Sequence, residues 1–291
     1  MHQNLIILAG GASSRMKKEA ISTAIDTDII KQANTRTKSL ISIDASGRPV
    51  MDYLLYNAKQ AGYKNVYIVI GEKETLIKEF YGSKNRGNDF HGLTINYVIQ
   101  YIPKNRIKPF GTADALAQAI MQYPELSKET YTVCNSDNLY SVVALKSLRE
   151  ADSPNAFISY DRDALQYTIE RISRFALVSL DSDGFLKGII EKPSVIDNEK
   201  YKDVYGKLRV SMNLFRFNGA MFLDYVMNCP VNEERDEKEL PTALLNMIKE
   251  LPKSVKGIPV SEHVPDLTSK DDIVILKQYI KEKFMDMNWS F

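Results

Sequence analysis

Short apolar runs alternate with amphipathic segments along the first half of the chain. The runs are five to eight residues long and mostly apolar, as in strands that are buried on both faces of a parallel sheet. They cover Leu5–Ala9, Asn65–Gly71, Leu93–Gln100 and Tyr131–Asp137. Helices are predicted between them, at Val50–Ala61, at Lys73–Tyr81 and after Gly111. This alternation predicts an α/β fold with a parallel sheet and right-handed crossovers.

The pattern changes after residue 150, where strands follow one another more closely. Strands are predicted at Asn155–Asp161, Phe175–Leu180, Phe185–Ile190, Val210–Phe217 and Val255–Val260. The sequence Asp181-Ser182-Asp183-Gly184 is typical of a hairpin turn between two of them. Further helices are predicted at Gly219–Met227, Lys238–Glu250 and Ser269–Met287. Because no linker or repeat is visible, we expect one domain, 1–291, with a parallel half at 1–150 and a mixed half at 151–291.

Two segments before the first long helix are less regular. Lys17–Thr37 is polar, with isoleucines at roughly helical spacing, and this favours a short helix or an ordered lid, with disorder as the alternative. Lys38–Ile43 has the composition of a short strand.

Composition and charge narrow the class of protein. The chain has 291 residues, of which 44% are hydrophobic and 26% charged, and its net charge is +1. Such a balance does not favour nucleic acid or an anionic membrane as a partner, and no apolar run reaches membrane-spanning length. The two cysteines, Cys134 and Cys229, are too few for a disulfide framework, and the histidines show no zinc spacing. We therefore expect a cytoplasmic protein.

The segment Asn4–Met16 combines an apolar run with a loop suited to anions. Gly10 and Gly11 follow the run directly, and glycines let a ligand approach the main chain closely. Successive N–H groups in such a loop can hold a phosphate, and Arg15 adds a permanent positive charge. The dinucleotide fingerprint and the Walker motif are both absent from this segment. The alternative is a strand-to-helix turn that uses glycine for geometry alone.

Two aspartates are candidate magnesium ligands. Asp137 comes at the end of a predicted strand, and ligands of open α/β sheets bind at that edge. Asp266 precedes a predicted helix. Magnesium is commonly held by one or two carboxylates together with substrate phosphates. Each residue has a structural alternative, since Asp137 could cap the next helix and Asp266 could simply lead one. Sequence alone cannot pair them.

Other polar residues follow strands or begin helices. Glu191 and Lys192 end a strand before a proline, and Lys38 follows a polar loop, so either lysine could neutralise a phosphate. Gly111-Thr112 begins a helix, whose N-terminus favours anionic or polar groups, although tight packing explains the glycine equally well. Gln100 could read a nucleobase edge because its amide both donates and accepts.

Together these motifs resemble the sugar-phosphate nucleotidyltransferases, in particular the glucose-1-phosphate thymidylyl- and uridylyltransferases. The motifs are Leu8-Ala-Gly-Gly-Ala-Ser-Ser-Arg-Met16, Lys38-Ser-Leu40, Gly47-Arg-Pro49, Gly111-Thr-Ala-Asp-Ala-Leu116, Asn135-Ser-Asp137 and Glu191-Lys-Pro193, in the family's order. The resemblance implies a mostly parallel, Rossmann-like three-layer α/β sheet with a mixed second half, the nucleotide-diphospho-sugar transferase (GT-A-like) fold. It also implies a nucleotide-binding first half and a sugar-phosphate-binding second half.

The resemblance further implies a reaction and a role for each matching residue. The enzymes of this family join a nucleoside triphosphate to a sugar 1-phosphate and release pyrophosphate, with Mg²⁺ as cofactor. The implied nucleotide-binding residues are Leu8, Ala9, Gly10, Gly11, Gln100, Gly111 and Thr112. The implied catalytic cations are Arg15, Lys38 and Lys192. Glu191, Lys192 and Asn213 are implied for the acceptor, and Asp137 and Asp266 for the metal.

Departures from the family pattern concern mostly the acceptor side. Thr37 stands where proline is usual, and Phe175-Ala176 replaces Tyr-Gly. Ser211-Met212-Asn213-Leu214 replaces the usual Asn-x-Gly pattern. A non-catalytic nucleotide-sugar-binding or regulatory protein therefore stays open, as does an enzyme acting on another phosphomonoester such as a cofactor precursor. Ser13-Ser14-Arg15-Met16 is also similar to the molybdopterin guanylyltransferases. A homo-oligomer is compatible with the sequence.

Overall fold

The computed structural model describes residues 1–11, 13–18, 25–191 and 199–289. Its strands are β1 (Asn4–Leu8), β2 (Asn65–Gly71), β3 (Asn88–Phe90), β4 (Leu93–Gln100), β5 (Thr130–Asn135), β6 (Asn155–Asp161), β7 (Leu177–Leu180), β8 (Leu186–Ile190), β9 (Arg209–Val210), β10 (Phe215–Asn218) and β11 (Val255–Val260). Its α-helices are α1 (Thr27–Thr35), α2 (Val50–Gln60), α3 (Leu76–Tyr81), α4 (Thr112–Gln122), α5 (Val142–Arg149), α6 (Ile169–Ile172), α7 (Gly219–Met227), α8 (Leu240–Glu250) and α9 (Asp272–Lys283).

The described strands form one sheet in the order β3-β4-β2-β1-β5-β10-β6-β9-β7-β8, and β11 also pairs with β6. Strands β4, β2, β1 and β5 are parallel, as the alternation in the first half predicts. Strand β10 runs antiparallel between β5 and β6, and β7, β8 and β9 are antiparallel as well. The mostly parallel first half and the mixed second half are therefore confirmed.

Apolar side chains fill both faces of this sheet. Along β1, Leu5 and Ile7 lie in one core cluster and Ile6 lies in the other. Helices α2 and α5 pack on the first face, and α4, α7 and α8 pack on the second. Burial of each such side chain stabilises the fold by about 1.5–3 kcal/mol. The result is the expected three-layer arrangement, in which the carboxyl ends of the parallel strands are available to carry a site.

The predicted strand at Lys38–Ile43 is wrong. Lys38–Leu40 is a 3₁₀ helix, and among the described residues the segment forms no strand of the sheet, only an isolated bridge between Ser42 and Pro49. Leu40 and Ile41 are fully buried, but in the core cluster that α2 helps to form and not through sheet alternation. A short apolar stretch has the same composition in either setting, so the pattern cannot separate them.

The predicted strand at Val210–Phe217 is interrupted. It forms the separate strands β9 and β10, because Met212 and Asn213 adopt left-handed backbone angles, with φ of 46° and 56°. Both strands run antiparallel to β6, so the chain keeps its direction past this turn. Strand β9 also pairs with β7, whereas β10 also pairs with β5. The hairpin turn at residues 181–184 is confirmed, since Gly184 N donates to Asp181 O at 3.0 Å.

Several helix boundaries differ by a few residues from the pattern. Helix α3 begins at Leu76 and α9 covers only Asp272–Lys283, whereas β3 and α5 had no predicted counterpart. The helix predicted within Lys17–Thr37 is α1, which begins after Asp26, whose side chain accepts from Asp28 N at 2.8 Å. The remainder of that segment includes residues outside the described ranges. In those ranges, no helix is long and apolar enough to cross a bilayer.

Candidate functional site

The carboxyl ends of four parallel strands bring the predicted residues to one edge of the sheet. In the pairing, Leu8 of β1 lies between Val69 of β2 and Asn135 of β5. Gly71, at the end of β2, pairs with Gln100, at the end of β4. The glycine loop, the glutamine and the residues after β5 therefore lie side by side, at the edge where α/β sheets bind ligands.

The two loop glycines have different surroundings. Ala9 N donates to Val69 O at 2.9 Å, so the strand continues to the start of the loop. A Cβ on Gly10 would lie 2.9 Å from Gln100 Oε1, whereas a Cβ on Gly11 would meet no described atom within 4 Å. Protein packing thus restricts Gly10, whereas no described residue fills the space above Gly11. Arg15, on the same loop, is exposed.

The Gln100 amide is fixed by acceptors on α4 and its first turn. Its Nε2 donates to Gly111 O at 3.1 Å and to Asp114 Oδ2 at 2.9 Å. Both partners are acceptors, so the amide nitrogen faces α4 and Oε1 faces Gly10. Asp114 Oδ2 also accepts from Gln118 Nε2 at 2.9 Å. Gln100 consequently offers an acceptor toward the glycine loop. Asp114 sets this orientation, and the sequence analysis did not identify Asp114 as a site residue.

Gly111 and Thr112 are held by the segment before α8. A Cβ on Gly111 would lie 2.3 Å from Lys238 O, and its φ is +102°. Ala113 N donates to Lys238 O at 2.9 Å, and Leu240 N donates to Thr112 Oγ1 at 2.9 Å. Tight packing against Lys238 therefore explains why this position is glycine. The carbonyl of the same glycine accepts from the Gln100 amide.

Asp137 and Asp266 meet through the fold. Asn138 and Asp266 form an antiparallel bridge, and Leu267 N donates to Asp137 O at 2.8 Å. Neither helix alternative holds. Helix α5 is capped by Ser141, whose Oγ accepts from Ala144 N at 3.0 Å, and α9 begins only at Asp272.

Each carboxylate has a cation beside it. Lys38 Nζ pairs with Asp137 Oδ2, and Arg171 Nη2 pairs with Asp266 Oδ2 at 2.6 Å. Burial, followed by the negative charge of Asp137, raises the pKa of the Asp266 carboxyl. The two carboxylates thus affect one another, as expected of groups that share one small site.

Arg171 and Lys270 were not identified from the sequence. Arg171 lies on the short helix α6 and reaches the loop that carries Asp266. Lys270 is 4% exposed, and its Nζ donates to Lys18 O, which ties that same loop to the loop after Arg15. Nothing in the pattern distinguishes Arg171 from the nearby exposed Arg174, because only the fold decides which arginine meets Asp266.

The predicted acceptor residues Glu191 and Asn213 lie on separate segments, after β8 and between β9 and β10. Glu191 Oε2 pairs with Arg235 Nη2 at 3.2 Å, and both side chains are half exposed. Asn213 is exposed in the turn between β9 and β10, and Tyr140 Oη donates to Met212 O at 2.7 Å. That bond holds the turn against the segment that follows Asp137. Lys192 lies outside the described residues.

Known proteins resemble this chain in sequence and in fold. The model of the nucleotidyl transferase family matches residues 4–256. The bifunctional protein GlmU of Staphylococcus saprophyticus is 23% identical over 84% of this chain and 45% of its own length. Glucose-1-phosphate adenylyltransferase 1 of Vibrio cholerae is 26% identical over 65% of this chain and 43% of its own length. The chain thus spans less than half the length of these curated relatives.

Two solved structures share the fold. A UDP-glucose pyrophosphorylase complexed with UDP-glucose superimposes with a TM-score of 0.68 at 14% identity, covering 97% of this chain and all of that one. HddC from Yersinia pseudotuberculosis gives a TM-score of 0.59 at 16% identity, covering 96% of this chain and all of that one. These likenesses confirm the nucleotide-diphospho-sugar transferase fold. With the family model matched from β1 to the start of β11, the chain belongs to the nucleotidyl transferase family.

Proposed function

We propose that the protein transfers a nucleoside monophosphate from a nucleoside triphosphate to a sugar 1-phosphate and releases pyrophosphate. The observation that carries the proposal is the meeting of Asp137 and Asp266 beside an open glycine loop, in a chain of this family. The relatives' names favour a sugar phosphate as acceptor, since one is a glucose-1-phosphate adenylyltransferase and a neighbour in fold is a UDP-glucose pyrophosphorylase. We also propose that residues 1–291 act as one domain.

The nucleotide would occupy the edge formed by β1 and β4. Leu8, Ala9 and Gly10 would form its floor, and the open face of Gly11 would receive the triphosphate. Gln100 Oε1, free of α4, would accept an N–H of the base, while Gly111 and Thr112 would contact base and ribose from the start of α4. Arg15, exposed beside the loop, would neutralise phosphate charge.

The donor set at the carboxylates fits Mg²⁺. Two aspartates supply hard oxygen ligands, from segments that are far apart in the chain but lie side by side in the fold. Mg²⁺ usually takes one or two carboxylates and fills its remaining positions with phosphate and water. In the described ranges, no cluster of three or more His, Cys, Asp or Glu residues could hold a metal. When bound, Mg²⁺ would neutralise charge on the phosphates. We propose Asp137 and Asp266 as its protein ligands.

The residues of this chain would act by positioning and by charge. An oxygen of the acceptor phosphate attacks the α-phosphorus in line, and the bond to the bridging oxygen of the departing pyrophosphate breaks. Lys38 already lies on Asp137 and could contact a phosphate from there, and Lys192 would serve the acceptor phosphate. Glu191 and Asn213 would orient the sugar from either side. No covalent enzyme intermediate is required, since orientation and electrostatic stabilisation supply the rate enhancement.

The test is pyrophosphate release with a panel of nucleoside triphosphates and sugar 1-phosphates. Wild type is expected to turn over at least one pair, and Asp137→Ala is expected to lose at least a hundredfold in kcat, since loss of a preorganised electrostatic contact costs about that much. Equal turnover by both proteins would refute the metal assignment. Calorimetric binding of a nucleotide sugar by wild type, without turnover of any pair, would instead support a sensor or regulatory protein.

A further inference from the structure

Arg171 joins two carboxylates, that of Asp266 on the loop before α9 and that of Asp272 at the first residue of α9. Its Nη2 pairs with Asp266 Oδ2 at 2.6 Å, and its Nη1 pairs with Asp272 Oδ1. The guanidinium also lies over the ring of Tyr167, 4.3 Å from the ring centroid. Its side chain is 23% exposed. The planar group is therefore fixed by two ion pairs and a stacking contact, a geometry that lysine cannot reproduce.

Among the described residues, the hydrogen bonds of the Asp266 side chain involve one of its two oxygens. Oδ2 accepts from Arg171 Nη2 and, at 2.7 Å, from Thr268 Oγ1. No group in the described ranges donates to Oδ1. With both known donors on one oxygen, the carboxylate cannot rotate without breaking two hydrogen bonds. Oδ1 is left as the available ligand atom of a residue that lies beside Asp137.

The second carboxylate holds the arginine itself in place. Asp272 Oδ2 accepts from Ser269 N at 2.6 Å and from Thr268 N at 2.9 Å. Its Oδ1 is thereby directed at Arg171. The loop thus folds around Asp272, and Asp272 aims the guanidinium at Asp266. One ion pair would be enough to hold α6 against the loop, whereas two ion pairs also fix the orientation of the guanidinium.

We infer that Arg171 is a positioning residue that orients Asp266 as a one-oxygen ligand of the divalent cation. The inference rests on the proposed function, in that it takes Asp266 as a metal ligand. Partners of this kind, which touch the ligand and not the metal, commonly change metal affinity by about 10- to 100-fold when they are removed. Loss of the positive charge alone would act in the opposite direction, because a cation near the site repels the metal. If Arg171 acts by orienting Asp266, its removal weakens metal binding, whereas if only its charge matters, its removal strengthens metal binding.

The experiment compares Arg171→Met, Arg171→Lys and Arg174→Met with wild type. Mn²⁺ affinity is measured by calorimetry and by electron paramagnetic resonance without nucleotide, and circular dichroism melts confirm folding. Both Arg171 variants are expected to bind Mn²⁺ at least tenfold more weakly. Arg174, exposed on the same segment, is the matched control, and its variant is expected to match wild type. Arg171→Lys keeps the charge, so it still decides the question if Arg171→Met does not fold.

Mn²⁺ binding by Arg171→Lys at wild-type affinity, or tighter binding by Arg171→Met, would overturn the inference. Asp266→Asn separates this failure from failure of the proposed function. If Asp266→Asn binds Mn²⁺ as wild type does, Asp266 is not a ligand and the metal assignment itself fails. If Asp266→Asn weakens binding while both Arg171 variants do not, only the positioning role fails.

Discussion

Replacement of Gly11 by alanine or valine separates a ligand contact from a structural role. A Cβ at this position meets no described atom within 4 Å, and the residue lies outside the left-handed region. Gly→Ala at a backbone position that alanine can adopt stabilises a protein by about 0.4–1 kcal/mol, because the unfolded chain loses freedom. Gly11→Ala is therefore expected to leave the free energy of unfolding unchanged or slightly raised.

Nucleotide binding, by contrast, should be weakened by the added methyl group. An extra group forced into a close contact costs about 1–3 kcal/mol, which corresponds to about 5- to 150-fold in Kd. We expect Gly11→Ala near the lower end of this range and Gly11→Val near the upper end. The expected signature is a protein as stable as wild type that binds the triphosphate weakly.

Urea denaturation gives the free energy of unfolding, and calorimetry with a triphosphate and Mg²⁺ gives Kd. Gly188→Ala is the matched control, since a Cβ on Gly188 also meets no described atom within 4 Å and the residue lies on β8, away from the loop. Nucleotide affinity that is unchanged in Gly11→Val would refute the placement of the triphosphate over this glycine. A large loss of stability in Gly11→Ala would show instead that the glycine serves the fold.

Three further outcomes follow from particular contacts. Asp114→Leu is expected to raise the triphosphate KM about tenfold with little change in kcat, because the Gln100 amide loses one of its two acceptors and keeps only Gly111 O. Asp114→Asn, which keeps an acceptor oxygen, should restore the wild-type KM, and equal KM values for Asp114→Leu and wild type would contradict this. Gly111→Ala is expected to lower the free energy of unfolding by about 2–4 kcal/mol in urea melts, since its Cβ would strike Lys238 O; an unchanged midpoint would refute the clash. Burial lowers the pKa of His263 to about 4, so the unfolded chain takes up its proton first as pH falls below 6.5. Stability should then fall by about 1 kcal/mol by pH 4.5, allowing for partial exposure, and His263→Gln should remove this loss from the melts.

The sequence pattern predicts what is decided locally. Strand β4 was predicted at its observed limits. Its apolar residues lie between two turns, and a segment of that length and composition is typical of a strand. The strand expected at Lys38 fails for the opposite reason. Leu40 and Ile41 are buried by a helix that packs on them, and a short apolar stretch carries no sign of which element will cover it.

The candidate site was predictable as a set of residues but not as an arrangement. Asp137 and Asp266 carry recognisable chemistry, yet the bridge that brings them together, between Asn138 and Asp266, joins segments far apart in the chain. Arg171 has no local signal at all, since its role depends on where a one-turn helix lies against the Asp266 loop. Residues whose chemistry is intrinsic can thus be proposed from sequence, whereas those that act through a neighbour require coordinates.

The antiparallel strand β10 determines when β5 and β6 can be joined in one sheet during synthesis. At about 5–20 residues per second, the ribosome needs roughly 4–16 s to add the ~80 residues that separate the end of β5 from Phe215, its first partner on β10. During that interval one edge of β5 presents unpaired N–H and C=O groups, and such an edge pairs readily with other chains. The strand that pairs with β5, next to the Asp137 segment, is thus synthesised late. Until Asn218 has emerged, the nascent protein stays monomeric only if aggregation is slow or a chaperone prevents it.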